Sequence, residues 1–236
     1  MSASTIQNIR AALRETANAE DAAGCRRFFK TGPGEYGEGD RFLGVRVPWT
    51  RRVARRFREL SLTDVRTLLK SQFHEERLLA LLLMAQRFER GGDEDREEIY
   101  SLYLTHTAWI NNWDLVDSSA PQIVGGWLAD RSREPLEDLA RSDSLWERRI
   151  AVMATLTFIR QGDFQDALRL AEMLLHDPED LIHKAAGWML REIGNRDREV
   201  EETFLRRHGR DMPRTMLRYA IEKFPEAVRR DYLVRK

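Results

Sequence analysis

Cysteine is almost missing from this sequence of 236 residues: Cys25 stands alone. No disulfide can form within the chain, and a reducing cytoplasmic setting suits it. A free thiol of this kind is expected as a buried structural residue. Proline and glycine are sparse as well, at 7 and 14 residues, which speaks against long disordered segments. No apolar run reaches the eighteen or so residues of a membrane span. The opening stretch, Met1-Ser2-Ala3-Ser4-Thr5-Ile6, has neither the basic start nor the apolar stretch of a secretory signal. Net charge is missing too: 39 basic residues meet 39 acidic ones. A chain so balanced does not coat nucleic acid by bulk charge, although a local basic face remains open to it.

What is present is arginine. Only Lys30, Lys70, Lys184, Lys223 and Lys236 are lysines, against 34 arginines. Planar guanidinium groups grip phosphates in two-pronged fashion, so the bias is compatible with a DNA partner. A GC-rich genome produces the same bias, and composition alone does not choose between them.

Nearly every segment reads at helical period, and strand signals are almost absent. Ile6, Ile9, Leu13 and Ala17 begin one amphipathic pattern, and the run Leu78 to Met84 is apolar all round, as a buried helix would be. Breaks fall at Gly91-Gly92, Asp130 to Pro135, Gly162-Asp163, Asp177-Pro178, Gly194-Asn195, Met212-Pro213 and Pro225. The alanines at 80, 151, 186 and 220 each follow a basic residue inside an apolar helix, at spacings of 71, 35 and 34 residues. Val116 falls near the middle of the long gap. This period suits paired-helix repeats, which stack into a curved solenoid with a concave face. The competing expectation is a helical bundle with coincidental spacing. At this length one domain spanning residues 1–236 is expected.

One stretch departs from the pattern. Lys30 to Gly44 reads as a loop, and its Gly32, Gly34 and Gly37 match a dinucleotide-binding spacing by letter. A helical segment with Phe28 and Phe29 precedes it in place of the required strand, and Glu35, Glu38 and Asp40 would repel a pyrophosphate. No nucleotide site is expected here. The histidines at 74, 106, 176, 183 and 208 lack any metal-binding spacing, and no metal site is expected.

The informative segment runs from Thr107 to Asp117. Asn112 is a good helix N-cap, so Trp113 opens a helix and Asp117 lies four residues on, on the same face. A carboxylate placed there can stabilise a developing cation, and an indole can hold a cation against its π face. The plainer alternative puts Trp113 in the core and makes Asp117 a helix-start charge. Two further segments fit such a set: Trp146-Glu147-Arg148-Arg149, with two guanidinium groups early in a helix, and Lys184 to Arg191, where Lys184, Trp188 and Arg191 share a stripe and Gly187 permits close approach. Aromatic residues interleaved with basic ones suit a nucleic-acid groove. A core tryptophan flanked by snorkelling bases is the alternative.

Together these segments resemble the DNA alkylation-repair family of HEAT-like-repeat glycosylases, the AlkD-like type. The residues that carry the likeness are Arg27 to Gly32, Phe42 to Pro48, Trp113-Asp114-Leu115-Val116-Asp117, Trp146 to Arg149 and Ala185 to Glu192. The resemblance implies an all-α protein, a C-shaped solenoid of HEAT-like helix pairs gripping duplex DNA in its concave face. It implies a cofactor-free monomer that excises cationic N3- and N7-alkylpurines. By motif position Asp117, Trp113 and Trp188 are the implied catalytic residues. Arg149, Arg148, Lys184, Arg191, Phe28 and Arg46 are implied DNA contacts, with phenylalanine at position 28 where relatives often carry tyrosine. A non-catalytic protein that binds damaged or branched DNA on the same scaffold is the alternative.

Overall fold

The computed structural model describes residues 5–234; Met1 to Ser4, where the absence of a signal was read, and Lys236 lie outside them. Among the described residues the structure is all-α, and its only β pairing is an isolated bridge between Arg41 and Phe73. No helix among them is long and apolar enough to cross a membrane. The chain divides into two compact units, residues 1–123 and 124–236.

The first unit is built on α5 (His74–Arg90). Its run Leu78 to Met84 is buried on every side, because α3 (Val47–Arg56), α4 (Leu62–Leu69), α6 (Asp93–Leu104) and α7 (Trp113–Asp117) all pack against it. α1 (Ile6–Arg14) covers α3 with Ile9 and Leu13, and α2 (Ala19–Phe28) leads into the Lys30–Gly44 loop. Side-chain caps set several of the starts: Thr5, Asn18 and Ser61 each accept a backbone N–H of the first turn that follows.

The second unit follows the same logic around α10 (Leu145–Arg160) and α12 (Asp180–Gly194). α9 (Glu134–Ala140) and α11 (Gln165–Met173) pack on α10, while α13 (Arg198–His208) and α14 (Arg214–Ala220) pack on α12. A short α8 (Gly126–Leu128) and a terminal α15 (Glu226–Val234) complete it. The breaks read from sequence fall between these helices or at their ends. Gly162, for example, ends α10 in a left-handed conformation at φ 83°.

The alanine repeat has a structural basis. Ala80, Ala151, Ala186 and Ala220 sit in α5, α10, α12 and α14, and all four are fully buried where helices approach, as is Val116 in α7. α12 therefore packs on α10 before it and on α14 after it, the arrangement of successive helix pairs. Gly187 is what lets α14 approach. A Cβ built there would lie 2.4 Å from the Met216 carbonyl oxygen and 2.6 Å from Tyr219 Cβ.

The segment after Trp113 differs from a simple amphipathic helix. α7 is five residues long, and Pro121–Gly125 form a π-helical turn. Pro121 has no N–H to give the Asp117 carbonyl four residues back, so the regular ladder cannot continue through it.

Replacing Gly187 with alanine should overpack α12 against α14 and cost about 1–3 kcal/mol. Chemical denaturation is expected to show a lower midpoint with the slope unchanged.

Candidate nucleic-acid interface

Asn112 is fully buried and its side-chain oxygen accepts the Trp113 amide at 2.9 Å, which starts α7 as its sequence suggests. Trp113 and Asp117 thus occupy the two ends of one short helix, both half-buried. The Asp117 charge reaches the fully buried phenol of Tyr103, where burial is the larger influence and the carboxylate adds to it; both push that phenol up from its ordinary value.

Trp113 is fixed by rings. Phe29 stacks on it at 5.3 Å between centroids, and Phe28 meets it edge-on at 5.7 Å. The other side of this stack is Phe42 and His74: Phe29 lies 5.2 Å from Phe42 and 4.9 Å from His74, and Phe42 stacks on His74 at 4.7 Å. Offset and edge-on ring pairs of this kind stabilise beyond their buried area. Phe28 itself is 65% exposed and stands at the rim. A cavity of about 600 Å³ opens beside it, lined by Phe28, Phe29, Phe42, Arg46, His74 and Asp114, among others.

Beneath the rings lies a charged cluster. His74, Glu75, Glu76 and Arg77 open α5, and all four are buried. His74 donates from Nδ1 to Asp40 and from Nε2 to Asp114, both at 2.8 Å, so the imidazole is held as a cation between two carboxylates. Burial opposes that charge, but the hydrogen bonds to Asp114 and Asp40, with their charges, outweigh it and raise His74 to about 9. Asp40 also accepts from Arg77, whose other amino group donates to the Ser71 carbonyl at 3.0 Å. Burial raises Asp40, yet the His74 bond and the Arg77 charge prevail and hold it below the usual carboxylate range. Glu75 accepts three consecutive amides, from Leu43, Gly44 and Val45, at 2.8 to 3.2 Å. Glu76 accepts from Arg10 at 2.9 Å and from Arg14 at 2.6 Å. One helix start therefore ties down α1, the loop and α7, the link to α7 running through Asp114, the residue after Trp113.

This cluster escaped the sequence reading, which tested His74-Glu75-Glu76 only against metal-site spacing. The available signal was four polar residues in a row, immediately ahead of a fully apolar run. Cys25 also differs from expectation: it is half-buried and lines the cavity. Burial first, then the charges of Glu75, Asp21 and Asp114, raise its pKa and leave the thiol protonated and unreactive.

Arg46 precedes the first turn of α3 and is highly exposed; its guanidinium pairs with the partly exposed Asp21 at 3.1 Å. The remaining expected residues belong to the second unit. In α12 Lys184, Trp188 and Arg191 are half-buried along one stripe, while Ala185, Ala186, Met189 and Leu190 face the core. Lys184 pairs with Asp180 at 2.8 Å, the Trp188 indole donates to Glu192 at 3.3 Å, and Arg191 pairs with Glu222. Arg148 is committed internally, to Asp177 through Nε at 2.6 Å and to the carbonyls of Ser142 and Asp143 at 3.0 Å. Arg149 is only 4% exposed and donates to the Leu181 carbonyl. Both arginines thus fix the entry to α12.

The architecture is that of an all-helical protein of paired, successively packed helices, and it is shared. A solved structure, the predicted DNA alkylation repair enzyme from Enterococcus faecalis, is similar with a TM-score of 0.70 at 18% identity, over 91% of this chain and 99% of that one. At that identity the likeness speaks for the fold. Residues 9–224 match the family described as DNA alkylation repair enzyme, and the chain belongs to that family. None of the curated proteins matches it in sequence. Its partner is accordingly DNA and its role is in repair.

The raised His74 value carries a pH dependence with a definite sign. Its stabilisation is fully present below an ordinary histidine value of about 6.5, declines as pH rises and is lost on passing about 9. The span corresponds to about 3 kcal/mol. Urea unfolding at pH 6 and pH 10 should show wild type losing stability on this order across the interval, a loss that His74→Gln should not share.

Proposed function

We propose that this chain is a DNA glycosylase that hydrolyses the N-glycosidic bond of cationic alkylated purines, N3-alkyladenine and N7-alkylguanine, in duplex DNA. The observation that carries the reading is the pairing of Trp113, packed against Phe28 and Phe29, with the half-buried carboxylate of Asp117 one turn along the same helix. Membership of the family supports it.

The chemistry asks little of the protein beyond electrostatics. An alkylated purine is already positive, so when the C1′–N bond breaks its electron pair departs with the base and neutralises it. The sugar is left oxocarbenium-like. Asp117 stabilises that charge and positions the attacking water, whose proton it accepts as the new C1′–O bond forms. The products are the free alkylpurine and an abasic sugar. By motif position Trp113 in the first unit and Trp188 in the second are each read as contacts to the sugar-phosphate backbone, where an indole π face favours a cation. Phe28 extends the ring surface, and Arg46, Lys184 and Arg191 exchange exposed or half-exposed carboxylate partners for phosphates, a change that costs little for a surface ion pair. Arg148 and Arg149 act one step removed, by holding α12 in place. Each compact unit contributes DNA contacts, and a single chain suffices.

Asp117→Asn should slow base release by about a hundredfold or more while duplex affinity stays within a few-fold of wild type. Chromatography of bases freed from methylated duplex DNA measures the first, and anisotropy titration the second. Equal release by both proteins would remove Asp117 from the chemistry; binding without release by wild type would leave a non-catalytic damage-binding protein.

A further inference from the structure

The zero net charge conceals an uneven distribution. Many arginines of the first unit are neutralised by named carboxylates: Arg10 and Arg14 by Glu76, Arg77 by Asp40, Arg87 by Asp95 and Arg90 by Glu59. α3 concentrates arginines that have no such partner. Between Val47 and Arg58 the chain has five arginines and no acidic residue. Val53, Ala54 and Phe57 face the core, while Arg51, Arg52, Arg55 and Arg56 are exposed. The side chains of Arg51 and Arg55 make no hydrogen bond or ion pair among the described residues. Arg52 and Arg56 have only rings for company, over Trp49 at 4.9 Å and Phe57 at 5.2 Å, which orient a guanidinium without neutralising it.

The placement of this face matters as much as its charge. Val47 and Pro48, at the start of α3, line the same cavity as Phe28 and Asp114. Arg51 and Arg55 follow Val47 by one and two turns on the same side of the helix. A stripe of unneutralised cations thus leaves the rim of the aromatic cluster and runs about 12 Å along α3. Its i, i+4 spacing is about 6 Å, close to the separation of consecutive phosphates along one DNA strand. Packing such charges together costs stability through mutual repulsion, and the helix offers no internal compensation.

We infer that the α3 arginine face, Arg51, Arg52, Arg55 and Arg56, is a phosphate-gripping surface for duplex DNA flanking the lesion. The inference rests on the reading of the chain as a protein acting on duplex DNA and adds a contact surface to it. The face carries no base-reading group: its arginines anchor the strand electrostatically and independently of sequence, so that the aromatic cluster meets the backbone in register. Its contribution lies in affinity and salt dependence, and leaves bond cleavage to the residues of α7.

The test is a double variant, Arg51→Gln with Arg55→Gln, at exposed positions where glutamine keeps helix propensity. Titration of an undamaged duplex over a range of salt concentrations should show the slope of log K against log salt shallower by about 2, with affinity lower by about tenfold or more in dilute buffer. Single-turnover release of methylated bases at saturating protein should match wild type. An unchanged slope and affinity overturn the inference. So does weakened binding of a poly-glutamate chain with DNA titrations unmoved, which would assign the face to an acidic protein segment. The outcomes stay distinct from those for the chemistry: wild type that releases no base, combined with a shallower slope in the variant, overturns the glycosylase reading and upholds the surface.

Discussion

The first unit depends on a buried cation held between two carboxylates, Asp40 buried and Asp114 partly so. His74 cannot share its two ring protons with Asp40 and Asp114 unless the loop, α5 and α7 stand in one arrangement. Removing one member of such a cluster leaves a charge stranded in the interior, which costs far more than the intact cluster contributes. That asymmetry makes the cluster a device for specifying geometry. It fixes Asp114, hence the register of α7, hence the direction in which Trp113 and Asp117 leave the helix. The ring stack over His74 excludes water from the same contacts and keeps their local dielectric low.

The helices were legible because their signals are local. Apolar periodicity, the Asn112 cap and breaks such as Gly162 and Pro225 depend on neighbours within a turn or two, and the structure follows them. The spacing of Ala80, Ala151, Ala186 and Ala220 was also readable, because each successive helix must present a small residue where the next one crosses. Gly187 was readable for the same reason.

What the sequence withheld was long-range and polar. Nothing near His74 announces that its partners lie 34 and 40 residues away. Arg148 and Arg149 look like a basic pair at a helix start. Only the fold reveals Asp177 and the Leu181 carbonyl as their partners, 29 and 32 residues on. The reverse holds for α3. Its arginines attracted little notice within a composition crowded with arginine, and they stand out only once most other guanidinium groups of that unit are seen to be neutralised. In a chain of balanced charge, the informative cation is the one the fold leaves unpaired.

The three amides gathered by Glu75 divide the Lys30–Gly44 loop into two kinds of sequence. From Asp40 onward the chain is tied down, Asp40 by His74 and Arg77 and the amides of 43–45 by Glu75, and Gly44 takes a left-handed φ of 78° where a side chain would strike the Asn18 carbonyl. The tip is different, since Glu35 and Glu38 merely bond the nearby amides of Gly32 and Gly34. Evolution is therefore free to lengthen, shorten or decorate residues 32–36, whereas one added residue between 40 and 45 would unthread the whole start of α5. The tip is where divergent members of the lineage can acquire new surface without disturbing the old.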